Sequence, residues 1–113
     1  MASHGKTPHQ GDVWLVALDP TQGSEIRKTR PCLLVSPDEM NEYIATVIVV
    51  PLTTTVRAYP SRVLVRFSGK DGQAALDQIR TVDKSRLIRR IGAVSPASAD
   101  EVAATLTEMF RRQ

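Results

Sequence analysis

Short apolar segments alternate with turn-forming residues along most of the chain, a pattern typical of an all-β protein. It predicts six strands, over about 12–18, 31–36, 43–52, 62–67, 74–82 and 87–94. The third segment is apolar at nearly every position, so we expect a central strand that is buried on both faces. In the fourth, Val63, Val65 and Phe67 alternate with Arg62 and Arg66, so we expect the arginine face to be exposed to solvent.

Turns and helical segments complete this pattern. Residues 38–41 and 83–86 are expected to form single helical turns, and the Lys-Asp-Gly sequence at 70–72 is a hairpin turn signal. Near the C-terminus the apolar residues follow a helical period, which places four of them on one face: Val102, Leu106, Met109 and Phe110.

The start of this C-terminal helix has two candidates. Ser95, followed by a proline, is one, and Ser98 with Glu101, a capping-box pair, is the other. Five to six short strands and one helix are too few for a β-sandwich. The predicted fold is therefore mainly β (α+β), a small SH3-like barrel of five to seven strands with a C-terminal α-helix.

Length and composition fit a single domain. The chain has 113 residues, 42% of them hydrophobic and 24% charged, and no stretch approaches the roughly 18 apolar residues of a membrane span. We expect residues 1–10 to form a flexible polar lead-in and residues 11–113 to form the domain. The lone Cys32 lies in an apolar run and is expected to be a buried hydrophobe rather than a nucleophile, which fits a cytoplasmic setting.

The charge balance favours an anionic partner. The formal net charge is +3 and the sequence pI is near 9.4. Arginine outnumbers lysine by 11 to 4, and the planar guanidinium suits phosphate groups. Both histidines, His4 and His9, lie in the lead-in and there is no cysteine pair, so no metal site is expected. An arginine-rich surface can also be merely well solvated, so charge alone does not decide the function.

Three segments resemble, in order and spacing, the motifs of the MazF/PemK/Kid toxin family. They are Gly11-Asp12-Val13-Trp14 with Asp19-Pro20-Thr21-Gln22-Gly23-Ser24-Glu25 and Arg30-Pro31; Val50-Pro51-Leu52-Thr53-Thr54; and Asp71-Gly72-Gln73-Ala74-Ala75-Leu76-Asp77-Gln78-Ile79. One motif alone would be weak evidence. The ordered set, within a resemblance that runs from about Gly11 to Phe110, is specific.

The resemblance implies a homodimeric, metal-independent and cofactor-independent endoribonuclease that cuts single-stranded RNA without the ribosome. The family's catalytic arginine, threonine and first-loop glutamate correspond to Arg30, Thr53 and Glu25. Further contacts with RNA are expected from Ser24, Arg27, Lys28, Thr54, Asp77 and Gln78. The implied protein partner is a MazE-like antitoxin whose acidic segment lies in the RNA groove, and the implied location is cytoplasmic.

These residue types suit the cleavage of RNA, which carries its own nucleophile in the 2′-hydroxyl. Arg30 can direct two donors at the phosphate, and Thr53 can donate its hydroxyl or relay a proton. Glu25 can act as the base or hold Arg30 in place. Because arginine does not titrate near neutral pH, such a site should be slow compared with a histidine-based ribonuclease.

Each of these residues also has an interpretation without catalysis. Arg30 could be a surface residue at the start of a strand. Thr53–Thr55 could be strand-end threonines favoured by β-branching. Glu25 could be an ion-pair partner of Arg27 or Lys28.

The remaining candidates carry the same ambiguity. Asp77 and Gln78 would point to opposite faces of an ideal strand, so both reach one site only if a bulge or a strong twist intervenes. Trp14 is expected in the core or at a dimer surface rather than as a platform for stacked bases. His4 and His9 are expected to be inert.

Two other functions remain open at this point. A CcdB-like gyrase poison would share the fold but depends on a C-terminal Trp-Gly-Ile tail, whereas residues 109–113 of this chain are Met-Phe-Arg-Arg-Gln. A non-catalytic RNA-binding barrel would need only the basic surface.

Overall fold

The computed structural model describes residues 7–113, and the elements of this part of the chain follow the predicted order. The strands are β1 Asp12–Ala17, β2 Thr29–Leu34, β3 Thr46–Thr53, β4 Arg62–Phe67, β5 Lys70–Ala75, β6 Arg80–Asp83 and β7 Leu87–Ala93. The α-helices are α1 Asp38–Tyr43 and α2 Pro96–Phe110, and two 3₁₀ helices cover Leu76–Gln78 and Lys84–Arg86. Helical structure is therefore present in both segments where a helical turn was predicted.

The seven strands form one curled antiparallel sheet with the order β4-β5-β3-β2-β1-β7, and β6 also pairs with β3. The C-terminal helix α2 packs against this sheet on the side of β4. The predicted fold class, a small curled β barrel with a C-terminal helix, is confirmed.

Two apolar clusters lie on the two faces of the central strands. One cluster contains Val13, Leu33 and Val50, and it is covered by Val102 of α2. The other contains Trp14, Cys32, Leu34 and Val49, among other residues. Because neighbouring residues on β1, β2 and β3 belong to different clusters, these strands are buried on both faces. This explains the continuous apolar run of β3, which is central as predicted, and it places Trp14 in the core.

The predicted fifth strand, 74–82, is wrong as a single element. Along β3, the pairing changes from Val49 opposite Arg80 on β6 to Leu52 opposite Ala74 on β5. These two pairs are three residues apart on β3 but six residues apart on the partner segment. The three extra residues form the 3₁₀ helix Leu76–Gln78. The strand bulges away from the sheet at this point.

Proline in β3 explains why the break is tolerated. Val35 N–H donates to the carbonyl of Ile48 at 3.0 Å, so the backbone groups of Ile48 face β2. By the alternation of a strand, Pro51 faces the opposite edge, where β5 and β6 are interrupted. The missing N–H of Pro51 therefore falls where no partner strand would accept a hydrogen bond.

The hairpin turn between β4 and β5 also differs from the prediction at 70–72. Phe67 pairs with Lys70, so the two-residue turn is Ser68-Gly69, with φ angles of 49° and 74°. This conformation is a tight turn that favours glycine. The Lys-Asp-Gly sequence that suggested a turn instead forms the first half of β5.

Helix α2 begins at the first of its two predicted starts. The Ser95 side chain caps the helix by accepting the backbone N–H of Ser98 at 3.2 Å, and Pro96 is the first helical residue. Ser98 thus lies inside the helix and does not cap it. Phe110, predicted on the apolar face, is 68% exposed.

The lead-in predicted at 1–10 is only partly within the described residues, and His4 lies outside them. At its end, the His9 side chain is 3.3 Å from the Asp38 carboxylate. Gln10 donates its backbone N–H to Asp38 and its side-chain amide to the Val35 carbonyl. These contacts join the start of the domain to the region after β2.

Candidate functional site

A groove of about 540 Å³ opens where β2 begins and β3 ends. The two loops that precede β2 and follow β3, called here the first loop (18–28) and the second loop (54–61), form two of its walls. The 3₁₀ helix Leu76–Gln78 forms a third. The lining residues are Ser24, Glu25, Ile26, Arg27, Arg30, Thr53, Thr55, Arg57, Tyr59, Arg62, Asp77 and Gln78.

The groove brings together seven of the nine predicted site residues. These are Ser24, Glu25, Arg27, Arg30, Thr53, Asp77 and Gln78. Lys28 and Thr54 are not among the lining residues. Lys28 has a backbone role at the base of the first loop: its N–H donates to the Asp19 carboxylate, and its carbonyl accepts from Leu18 N–H, both at 3.0 Å.

Arg30 lies near the start of β2 and Thr53 is the last residue of the neighbouring strand β3. The pairing of the two strands ends at Cys32 opposite Pro51, two residues before Arg30 and Thr53 are reached. Both side chains nevertheless line the same groove. The two side chains can therefore act on one bound group.

Both side chains have donor groups that make no hydrogen bond within residues 7–113. Arg30 Nε–H donates to the carbonyl of Arg27 at 3.3 Å, which leaves the two terminal nitrogens of its guanidinium for a ligand. The Thr53 hydroxyl oxygen accepts the backbone N–H of Thr55 at 3.1 Å. Its own hydrogen remains for donation into the groove.

Glu25 lies on the exposed surface of the first loop. One of its carboxylate oxygens accepts the backbone N–H of Gln22 at 2.5 Å, which closes the turn 22–25. Within residues 7–113, Glu25 forms no ion pair with Arg27, Lys28 or Arg30. The alternative that Glu25 merely serves a loop ion pair is not what the structure shows.

The break between β5 and β6 places both Asp77 and Gln78 at the groove. It is the kind of bulge that two neighbouring residues of a strand need in order to share a site. Gln78 holds the first loop: its side-chain oxygen accepts Ile26 N–H at 3.1 Å, and its side-chain nitrogen donates to the Ser24 carbonyl at 3.5 Å. The predicted site residue Gln78 thus fixes the wall of the groove that carries Glu25.

Asp77 forms a two-point ion pair with Arg62. Arg62 Nε–H and Nη2–H donate to the two carboxylate oxygens at 2.7 and 3.2 Å, and Ser61 also donates to Asp77 at 3.0 Å. These bonds, above all those from Arg62, hold the pKa of Asp77 below its usual value of 3.8. The prediction that the arginine face of β4 is exposed is wrong at this position, because the Arg62 side chain is only 7% exposed.

Five lining residues escaped the sequence prediction: Ile26, Thr55, Arg57, Tyr59 and Arg62. The Arg62 guanidinium lies 5.1 Å from the centre of the Tyr59 ring, within the range of a cation–π contact. The alternation of apolar residues and arginines along β4 predicts that Arg62 faces solvent. Its partner, Asp77, is 15 residues away in the sequence. A contact of that range has no local signal in a single sequence.

Cys32 is fully buried, and burial raises the pKa of its thiol to about 12. A thiolate is therefore not available at neutral pH. The interpretation of Cys32 as a buried hydrophobe is confirmed.

In the part of the chain that the structure describes, no group of three or more His, Cys, Asp or Glu residues could hold a metal ion. Over the same residues, neither α-helix is long and apolar enough to cross a membrane.

A family model described as PemK-like, MazF-like toxin of type II toxin-antitoxin system matches residues 9–110. The chain is 37% identical over 98 residues to endoribonuclease MazF9 of Mycobacterium tuberculosis, a match that covers 78% of this chain and 83% of the relative. It is 32% identical over 104 residues to endoribonuclease toxin MazF of Escherichia coli K12, covering 91% of this chain and 94% of the relative.

Solved structures share the fold. MazF of Deinococcus radiodurans superposes with a TM-score of 0.85 at 24% identity, covering 96% of this chain and all (100%) of the other. A mycobacterial endoribonuclease in complex with its cognate antitoxin superposes with a TM-score of 0.76 at 30% identity, covering 89% and 92%. The curled barrel with its C-terminal helix is thus the fold of the MazF structures. The chain belongs to the PemK-like, MazF-like family of toxins of type II toxin–antitoxin systems, as the resemblance in its sequence predicted.

Proposed function

We propose that this toxin is a ribosome-independent, metal-independent endoribonuclease that cuts single-stranded RNA and leaves 2′,3′-cyclic phosphate and 5′-hydroxyl ends. The endoribonuclease names of relatives that are 37% and 32% identical support the reaction class. The observation that carries the proposal is that Arg30 and Thr53 line one open groove, from the start of β2 and the end of the neighbouring strand β3.

In the proposed reaction, the 2′-hydroxyl oxygen loses its proton to a base and attacks the adjacent phosphorus. The bond from phosphorus to the 5′-oxygen breaks, and the 5′-oxygen takes a proton from solvent water, which balances the proton lost by the 2′-hydroxyl. Negative charge concentrates on the non-bridging phosphate oxygens in the transition state. The terminal nitrogens of Arg30 supply two donors to those oxygens, and the Thr53 hydroxyl supplies a third. Donors fixed in place before the reaction contribute most to the stabilisation of such charge.

The base that takes the 2′-hydroxyl proton is best supplied by Glu25. Two carboxylates line the groove, and Asp77 is bound on both oxygens by Arg62, with a lowered pKa that makes it a weak base. The guanidinium of Arg30 offers only donors and has no atom that could accept the proton. Glu25 has only one oxygen engaged, by Gln22, among the described contacts.

The other predicted contacts with RNA surround these three residues. Ser24, Arg27, Asp77 and Gln78 line the same groove, which supports contacts from them to the nucleotides beside the scissile phosphate. The contacts proposed for Lys28 and Thr54 would need a strand of RNA that extends beyond the groove onto the two loops.

We further propose that the toxin acts in the cytoplasm as a homodimer and is inhibited by a MazE-like antitoxin. The mycobacterial endoribonuclease at 30% identity is described in complex with its cognate antitoxin, which supports this kind of partner. A groove that binds phosphates with arginines would also accept the carboxylates of an acidic peptide. Occupation of the groove would then block RNA.

Arg30→Ala tests the proposed reaction. Purified protein is mixed with ribosome-free single-stranded RNA in the presence of a chelator, and the ends of the fragments are identified. Removal of one such donor group typically costs roughly 10²–10³-fold in rate, so Arg30→Ala should cut at least that much more slowly. The matched control is Arg89→Ala on the exposed face of β7, which should cut at the normal rate.

Three outcomes would reject the proposal. RNA that is bound but left intact by the unmodified toxin would indicate a non-catalytic RNA-binding barrel. Intact RNA together with gyrase-linked DNA breaks would indicate a CcdB-like poison. Equal rates of RNA cleavage by Arg30→Ala and the unmodified toxin would show that Arg30 takes no part in the reaction.

A further inference from the structure

Gln73 is a buried polar residue for which the proposed reaction has no use. It lies in the middle of β5 with 6% of its surface exposed. A buried amide is costly unless both of its ends are hydrogen-bonded. Both ends are satisfied by one residue of the second loop: the Gln73 oxygen accepts Arg57 N–H at 3.0 Å, and its nitrogen donates to the Arg57 carbonyl at 3.1 Å.

This pair of bonds holds the second loop against the sheet beside Thr53. Gln73 stands opposite Thr53 in the pairing of β5 with β3. Its side-chain amide bonds both the N–H and the carbonyl of Arg57, which is the pair of hydrogen bonds that a residue of a neighbouring strand would make with its backbone. The loop therefore folds back over β5 where β3 ends.

The far end of the second loop is fixed as well. Arg62 N–H donates to the Tyr59 carbonyl at 3.0 Å, and the Arg62 guanidinium, paired with Asp77, supports the Tyr59 ring. The second loop is thus fixed at two points, at Arg57 by Gln73 and at Tyr59 by Arg62. The Arg57 guanidinium lines the groove, and in residues 7–113 it makes one long bond, from Nη1 to the Val56 carbonyl at 3.5 Å.

We propose that Gln73 is a positioning residue for RNA binding, which fixes the backbone of Arg57 so that its guanidinium binds an RNA phosphate next to the one being cut. A side chain carried on a fixed backbone loses less conformational freedom on binding than one carried on a mobile loop, so the fixed arrangement binds more tightly. This inference rests on the proposed function, because it assigns a second phosphate subsite to the same groove.

The test compares Gln73→Met with Arg57→Ala. Gln73→Met keeps most of the side-chain volume and removes both bonds to Arg57. Binding is measured with 2′-O-methyl RNA, which retains the phosphates and lacks the nucleophile, over a range of salt concentrations. Both variants should bind about tenfold more weakly, as expected for the loss of a charge-assisted contact. In each variant the negative slope of log K against log salt should also become shallower by about 0.7, the value for one phosphate of a single strand.

The double variant separates positioning from a general loss of structure. If Gln73 acts through Arg57, Gln73→Met should have no further effect on affinity or salt slope when Arg57 is already alanine. On unmodified RNA, both single variants should raise KM with little change in kcat, because Arg57 contacts a flanking phosphate. The exposed Arg89→Ala serves again as the control with unchanged slope.

Two results would overturn the inference whatever the stability of Gln73→Met. One is an Arg57→Ala variant with the normal salt slope, and the other is a double variant whose losses simply add. The proposed function is tested separately, by cutting with Arg30→Ala. If Arg30→Ala abolishes cutting but Arg57→Ala leaves RNA binding unchanged, only the inference about Gln73 and Arg57 is overturned. If the unmodified toxin does not cut RNA, both proposals are overturned.

Discussion

At the residue scale, a glycine sets the position of the proposed catalytic threonine. Gly72 of β5 lies so close to β3 that a Cβ atom placed on it would be 3.0 Å from the carbonyl oxygen of Thr53. The contact is with backbone, which cannot rotate away as a flexible side chain can. A larger residue at position 72 would therefore push the end of β3 outward, along with the hydroxyl that the proposed reaction uses.

Gly72→Ala should reduce the rate of cleavage more than the affinity for RNA. A shift of a few tenths of an ångström in Thr53 misaligns its donor, and since a displacement of about 1 Å can cost 10²-fold, we expect kcat to fall by roughly 3–10-fold. The measurement is single-turnover cleavage beside binding to 2′-O-methyl RNA. Gly92→Ala, at a site with no atom within 4 Å of the added carbon, should behave like the unmodified toxin. Equal rates for the two glycine variants would contradict the argument.

The residues that the sequence could identify are those that belong to a recognisable motif. Arg30, Thr53 and Glu25 could be named in advance because their neighbours along the chain resemble the family. Gln73 lies inside the third motif, yet its bonds to a backbone 16 residues away depend on the path of the second loop. Its role could not be derived from the sequence without that path.

At the scale of elements, the interruption between β5 and β6 is the feature that builds the site. It turns Asp77 and Gln78 toward the groove and gives each a separate partner, Arg62 on β4 and the backbone of the first loop. For both residues to serve one site, the sequence requires a bulge or a strong twist. The apolar pattern around the three inserted residues nevertheless favours a continuous strand, because it does not itself mark a break.

Asp77→Asn should destabilise the toxin at neutral pH but not in strong acid. The lowered pKa of Asp77 means that its ion pair with Arg62 stabilises the fold above the ordinary pKa of 3.8 and is lost as the pH falls through the lower, folded-state value. At pH 7 we expect a loss of about 1 kcal/mol, the lower end for a hydrogen-bonded charged group, because Asp77 is about a third exposed (32%) and solvent screens the pair. The difference in Tm from the unmodified toxin should shrink steadily below about pH 4.

The matched control for this variant is Asp71→Asn. Asp71 pairs with Arg66 at 3.0 Å, but both side chains are exposed, by 72% and 68%. An exposed pair of this kind contributes little, about 0–1 kcal/mol. If the Tm difference of Asp77→Asn persisted at pH 2, the ion pair would not be its source.

At the scale of the whole molecule, the sequence predicted the class of fold because strand alternation, turn residues and a capped amphipathic helix are local signals. It missed details decided by contacts between distant segments, such as the exposure of Phe110 and the low exposure of the Arg62 side chain. The net charge of +3 indicated an anionic partner without locating it. In the folded chain, the groove collects four arginines and two carboxylates.

The pairing of charges inside the groove predicts how strongly salt should weaken RNA binding. Arg62 is neutralised by Asp77, which leaves Arg27, Arg30 and Arg57 as groove arginines with no carboxylate partner among residues 7–113. Each contact between an arginine and a phosphate of single-stranded RNA contributes about −0.7 to the slope of log K against log salt. Three such contacts give a slope of about −2.

The slope can be measured with 2′-O-methyl RNA between roughly 50 and 200 mM salt, the range over which counterion release dominates affinity. Arg27→Ala should reduce its magnitude by about 0.7, whereas Arg66→Ala, which removes an exposed arginine outside the groove, should leave it unchanged. A slope near zero would mean that RNA is held without phosphate contacts. A slope much steeper than −2 would mean that the RNA strand contacts further basic side chains outside the groove, and that this groove is only part of the binding site.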